Sequence, residues 1–201
     1  AIDCSVWSGN WPFYYLRHGK LELLKERLAR YNIVKAFVSP IEAILEQDNI
    51  RANKNLLESI DRMGDGFFSI VPVINLSNPN WKEAIELAIN NQNIKMIKLL
   101  PNYHLYTLNE DNLGKLVEYT TKYNLVISIQ IRVEDTRGQY PLMKVPDVDI
   151  IQDIKVLSYF PKQEFVISNG YLNEVEQVLY SLDNVYVDIS SVEKQDVLPY
   201  L

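Results

Sequence analysis

The sequence predicts an α/β fold of the TIM-type (β/α) barrel kind, with seven strands visible and an eighth missing or beyond the C-terminus. Three observations predict it. Apolar, β-branched runs alternate with helix-period segments along the whole chain. Their spacing of roughly 30 residues suits a strand–helix–strand crossover, and near-continuous apolar strands indicate a parallel sheet covered on both faces. Connections from helix to strand are short and plain, whereas those from strand to helix are long and chemically rich. That asymmetry fits a barrel with its site at the carboxyl ends of the strands.

The first strand covers residues 1–7, and strand parity turns Asp3, Ser5 and Trp7 inward. A long loop at 8–19 leads to a helix at 20–30, and the short turn 31–33 returns the chain to a second strand at 34–39. Loop 40–52, a helix at 53–63, a strand at 67–74 and a helix at 81–90 follow. After the plain connection Gln92-Asn93 come a strand at 94–99, loop 101–108 and a helix at 109–123. The turn Tyr123-Asn124 introduces a fifth strand at 125–131. Loop 132–149 exceeds the roughly 12 to 15 residues normal for an unstructured connection, and is read as a lid or wall of a site, with a plain surface excursion as the alternative. A helix at 150–159, a strand at 165–169, a helix at 172–182 and a strand at 185–190 complete the pattern. Residues 191–201 are too few for another helix and strand, and a typical barrel takes about 250 residues. A shortened piece of a longer barrel is expected, because an open one would expose parallel edges.

Composition narrows the function classes. A chain of 201 residues, 47% hydrophobic and 23% charged, can bury one sizeable core, so residues 1–201 are read as a single domain. A formal charge of -6 and a pI near 5.0 argue against a nucleic-acid partner. The lone Cys4 cannot pair within the chain and is expected to fill core space. No apolar run approaches the roughly 20 residues of a membrane span, and no basic stretch followed by an apolar one opens the chain. Cytoplasmic residence is the default expectation.

Several segments together carry a family resemblance. They are Ile2-Asp3-Cys4-Ser5-Val6-Trp7, Trp11-Pro12-Phe13, the stretch from Val38 to Ile44, and Val71-Pro72-Val73-Ile74-Asn75. To these are added the stretch from Ile97 to His104, the stretch from Gln130 to Asp135 with Val145-Pro146-Asp147-Val148, and the stretch from Asn184 to Ser190. In combination they resemble the amidohydrolase-related (amidohydrolase 2) family of predicted metal-dependent barrel hydrolases, in a branch that lacks the metal-binding histidines. The resemblance implies Asp-x-His-x-His on the first strand, where this chain has Asp3, Ser5 and Trp7. It implies a histidine where Gln130 stands and another where Asn169 stands, while the eighth-strand aspartate would lie beyond Leu201. Alcohol, indole and carboxamide groups do not make a tight zinc site. No metal ligand is therefore assigned and no cofactor is expected, although Asp3, Glu42 and Asp188 could recruit a weaker ion.

Other polar residues at the strand ends form a plausible site. Ser128, Gln130 and Arg132 share one face of the fifth strand, and Lys98 can face the barrel centre from the fourth. Lys98 and Arg132 favour an anionic substrate, the guanidinium gripping a carboxylate in a two-point fork; a salt bridge from Arg132 to Glu134, Asp135 or Asp188 is the alternative. His104, on the expected rim next to Tyr103, suits proton transfer, or else packs or caps; His18 is expected to face solvent. Asp188 is a second candidate acid or base, or a structural partner of Lys98 or of a backbone group. Catalysis is thus assigned to His104, Asp188 and Lys98, and substrate binding to Arg132, Trp7, Trp11, Tyr103, Gln130, Asn169 and Glu42. Trp7, Trp11, Phe13, Tyr14, Tyr15, Tyr103 and Tyr106 could wall a pocket, cap the core or form a subunit interface, which leaves a homo-oligomer open.

The reading that follows is a hydrolase or lyase acting on a small anionic carbonyl substrate, such as a lactone, amide or carboxylate, without the usual divalent metal. A catalytically inactive ligand-binding or regulatory relative is the second class, and a metal hydrolase with an oxygen-rich site the third. The partner is a small molecule, with no nucleic acid and no membrane.

Overall fold

The computed structural model describes residues 1–91 and 93–193. Gln92 of the Gln92-Asn93 connection and residues 194–201, most of the tail too short for another helix and strand, lie outside the described residues. The chain divides into two compact units, Ala1–Lys98 and Leu99–Leu201. In the first unit strand Lys35–Pro40 pairs in parallel with Ile2–Ser8 and with Phe68–Ile70, and in the second Phe165–Ser168 pairs in parallel with Val126–Gln130 and with Val185–Val187. No described helix is long and apolar enough to cross a membrane.

The first unit runs β1 (Ile2–Ser8), α1 (Leu21–Ala29), β2 (Lys35–Pro40), a 3-10 turn (Ile41–Ile44), α2 (Asn49–Met63), β3 (Phe68–Ile70), α3 (Trp81–Ile89) and most of β4 (Met96–Leu99). Ala36, Val38, Ile70, Ile74, Ile85 and Ile97 form its buried apolar centre. Between Asp3 and Val6, strand β1 spends three steps where β2 spends two from Ala36 to Val38, a bulge that places Cys4 and Ser5 opposite Phe37. Cys4, expected in the core, is exposed, because it shares the outer face of β1 with the equally exposed Ile2.

Two boundaries differ from the sequence pattern for local reasons. Helix α2 starts a turn early because Asp48 caps it, accepting from the amides of Ile50 and Arg51 at 3.1 and 3.4 Å. Strand β3 stops at Ile70 rather than 74, since Pro72 has no N–H to give a ladder. Beyond it the buried Asn53 side chain serves both backbone groups of Val73, donating to its carbonyl and accepting from its amide at 2.9 Å each. An isolated parallel bridge then joins Val73 to Lys98.

The second unit runs α4 (Glu110–Lys122), β5 (Val126–Gln130), α5 (Ile150–Leu157), β6 (Phe165–Ser168), α6 (Leu172–Ser181) and β7 (Val185–Val187). Its core gathers Leu113, Leu116, Ile127, Ile129, Phe165, Ile167 and Val178. Pairing of Gln130 with Ser168 and of Ile167 with Val187 sets the register of the strand ends that carry the polar groups. Segment 131–149 has no helix or strand but is tied down at both ends. Val148 donates to the Ile131 carbonyl at 3.0 Å, and Asn102 Nδ2 donates to the carbonyls of Ile131 and Pro146 at 3.2 and 3.0 Å. In its middle Gln139 exchanges two hydrogen bonds with Val145.

Candidate functional site

In the first unit the inward face of β1 meets the end of β4. Lys98 is 1% exposed. Its Nζ donates to Ser5 Oγ at 3.4 Å and stands 4.6 Å from the centre of the Trp7 ring, a cation–π distance. Ser5 and Trp7 therefore share a face, and Asp3, on the other side of the bulge, accepts from the Ser5 amide at 3.1 Å.

These residues bear on the divalent metal that the family resemblance implies. An ion placed between Ser5 and Trp7 would face the Lys98 amine group with an alcohol and an indole as its neighbours, neither of which is a tight-binding donor. Among the described residues no three His, Cys, Asp or Glu side chains gather closely enough to hold one. The donor set does not fit the metal.

Glu42 follows β2 in the 3-10 turn and turns toward the end of β1. Its Oε1 accepts from the Asn10 amide at 2.8 Å, and its carboxylate lies against Gly9, whose φ of +131° and lack of a Cβ permit the approach. Glu42 lines a cavity of about 460 Å³ with Ser8, Asn10, Lys20, Glu46 and Arg51. Ser5, Trp7 and Lys98 are not among the cavity's lining residues. Trp11 is buried, edge-on to Phe13 with ring centres 5.4 Å apart.

In the second unit Arg132 is 3% exposed and its guanidinium is already engaged. Nε donates to Asp147 Oδ2 at 3.0 Å, Nη2 to both oxygens of Glu174 at 2.8 and 2.9 Å, and Nη1 to the Asn169 carbonyl. The Tyr171 ring covers it at 3.7 Å. Burial works against the charge, but the hydrogen bonds and negative charge of Glu174 and Asp147 outweigh it and hold the pKa above the ordinary arginine value. The fork expected for a substrate carboxylate is filled by Glu174, and the salt-bridge partners are Asp147 and Glu174 rather than Glu134, Asp135 or Asp188. Sequence reading passed over both. Asp147 stood in a quoted motif without a role, and Glu174 sits three residues after Tyr171, where its Oε2 accepts from the Tyr171 amide at 2.7 Å as helix entries often arrange.

Gln130 is fully buried and donates from Nε2 to the Arg132 carbonyl at 2.7 Å. Asn169 takes a left-handed φ of 61° just after β6, offering its carbonyl to Arg132 and its Oδ1 to the Ser190 hydroxyl at 3.4 Å. Ser128 and Ser168 share a hydrogen bond at 3.1 Å. His104, expected on an open rim, is 6% exposed, because the turn after β4 folds inward with its amide on the Leu100 carbonyl. The neighbouring Tyr103 is half-buried, its amide donating to Asn102 Oδ1 at 3.0 Å. Asp188 lies just past β7, accepting from the Ser190 amide at 2.7 Å, while its Oδ2 is buried without a hydrogen-bond partner among the described residues. His18 is half-buried, with Nδ1 3.1 Å from Arg27 Nη1; desolvation and the surrounding arginines lower its pKa.

No family model and no curated protein matches the chain. Solved structures do. A protein from Staphylococcus aureus provisionally described as an amidohydrolase aligns with 92% of this chain and 78% of its own, at 13% identity and a TM-score of 0.64. One from Acinetobacter baumannii, provisionally described as a 2-pyrone-4,6-dicarboxylic acid hydrolase and holding citric acid, aligns over 92% and 68% at 11% identity and a TM-score of 0.59. An amidohydrolase from Mycobacterium avium subsp. paratuberculosis K-10 covers 89% and 59% at 14% identity and 0.56. At these identities the likeness establishes the fold, the parallel α/β architecture of the amidohydrolase barrels.

Proposed function

We propose that the chain is a hydrolase that attacks the carbonyl carbon of a small anionic substrate without a divalent metal, with Lys98 supplying the positive charge. The observation that carries this reading is the buried Lys98 Nζ held between Ser5 and Trp7, the two positions where the resembled family places its first metal-binding histidines. A fixed cation in a water-poor setting stabilises charge developing on a carbonyl oxygen more strongly than the same cation in water. Lactones, amides and carboxylates with a second anionic group are the substrate class. The hydrolase descriptions of the solved neighbours, one of them with citric acid bound, support that class. A lyase acting on the same substrates would use the same cation. Arg132 is given a positioning role, holding segment 131–149 to the start of α6.

Turnover on a panel of carboxylated lactones, esters and amides, with chelator present, tests the reading. The expected result is hydrolysis that falls by about 100-fold or more in Lys98→Met, the usual cost of losing a donor to the oxyanion. Ligand binding without turnover on any of them would favour the non-catalytic binding module. Turnover that appears only with stoichiometric zinc or manganese would overturn the proposal.

A further inference from the structure

We infer that Ser5 is a nucleophile and Lys98 its base, so that the reaction passes through an ester of the Ser5 hydroxyl. The inference deepens the hydrolase reading and rests on it, adding a covalent step.

Five observations converge on Ser5. The Lys98 amine group lies within hydrogen-bond reach of Oγ, at 3.4 Å, the nucleophile-to-base relation that serine–lysine pairs share with serine–histidine ones. Distances of this length commonly shorten when substrate closes the site. The lysine is 1% exposed and cannot swing into solvent, whereas Ser5 is half-buried. The bulge at Cys4 and Ser5 falls on the residue concerned, and such bulges re-aim side chains beside active sites. The face of Trp7, 4.6 Å from Nζ, favours the ammonium that appears once the amine has taken a proton. Asp3 holds the Ser5 backbone through its amide, which fixes the direction of the side chain.

The step balances with water as the sole co-reactant. Lys98, neutral when the substrate arrives, takes the Oγ proton while Oγ bonds to the carbonyl carbon and the carbonyl electron pair moves onto oxygen, so the ammonium formed in this step is the positive charge beside the new oxyanion. Collapse breaks the bond to the leaving group, which takes the proton from the Lys98 ammonium. Water then repeats the sequence on the Ser5 ester, its proton passing to Lys98 and from there back to Oγ as the acid departs.

An alkyl fluorophosphonate, which esterifies activated serine hydroxyls, tests this on the intact chain by mass spectrometry and peptide mapping. The expected result is one adduct per chain on Ser5, absent from Ser5→Ala and formed at least 100-fold more slowly in Lys98→Arg, because guanidinium cannot act as a base. Circular dichroism melting of each variant accompanies the labelling. If Lys98→Arg does not fold, the labelling site in the unaltered protein decides. No adduct, or an adduct on another residue, overturns the inference; so does labelling of a folded Lys98→Arg at the unaltered rate. Turnover on the substrate panel that survives in Ser5→Ala overturns the nucleophile while leaving the Lys98 reading intact. Labelling of Ser5 with no turnover on the panel supports the nucleophile and sinks the substrate class.

Discussion

Removing the Arg132 guanidinium would leave the carboxylates of Asp147 and Glu174 facing each other with their shared cation gone, together with an orphaned Asn169 carbonyl. Breaking a buried ion pair from one side costs several kcal/mol, so Arg132→Met is expected to lower stability by about 3 kcal/mol in urea unfolding. Adding Glu174→Gln to that variant should recover part of the loss. Asp153 on α5 behaves in the opposite sense. Burial first, and the nearby Asp149 second, raise its pKa to about 6. A carboxyl whose folded pKa is raised stabilises fully below its unfolded value near 4, and that contribution is lost as pH climbs through about 6. Asp153→Asn is therefore expected to stabilise the protein by about 1 kcal/mol at pH 7.5, after allowance for solvent screening, and not at pH 3.5. Matched urea unfolding at the two pH values checks it. The sequence marked Lys98 and Arg132 as cations at strand ends, and the structure buries both. Their partners were not legible in it, because Glu174 is 42 residues from Arg132 and no local pattern encodes such a meeting.

At the level of elements, Asn53 does work that a strand neighbour usually does. It satisfies the amide and carbonyl of Val73 where the ladder of β3 has ended, so Asn53→Leu would leave two buried backbone groups unpaired. A loss of about 2 to 4 kcal/mol is expected. Amide hydrogen exchange at Val73 should speed up more than at Ile70, and equal rates at both would refute the assignment. Among the described residues the periodicities located the strands and α-helices, though not the 3-10 turn at Ile41–Ile44, because parity and the 3.6-residue repeat are local properties of the chain. They overran β3, where one proline interrupts an otherwise apolar run, and they started α2 late, where the Asp48 cap extends the helix by the turn Asn49 to Ala52. The bulge in β1 carries no sequence signature at all, since neither Cys4 nor Ser5 departs from ordinary strand composition. It is defined only against the partner strand, which takes two steps from Ala36 to Val38 where β1 takes three from Asp3 to Val6.

Across the molecule, the proposed cation is a covalently attached one, and that would distinguish this chain from a protein stabilised by a bound metal. A metal-dependent fold gains the ion's binding energy in stability and loses it to chelator. Overnight treatment with a strong chelator is expected to leave the melting temperature within about 1 °C, because the proposal has no bound ion to lose, and a loss of even 1 kcal/mol would lower it by about 2 to 4 °C. A fall of many degrees would place a structural ion in the fold. The sequence by itself determined the succession of parallel strands and helices, the acidic surface charge and the absence of histidine from the expected ligand positions, since each is a property of composition or of short-range order. Only the tertiary structure decided that Lys98 meets a serine 93 residues away, that Arg132 is spent on Asp147 and Glu174, and that His104 is covered. Those outcomes depend on which distant strand ends the hydrophobic packing brings together, and a side chain's own identity says nothing of what will be packed against it.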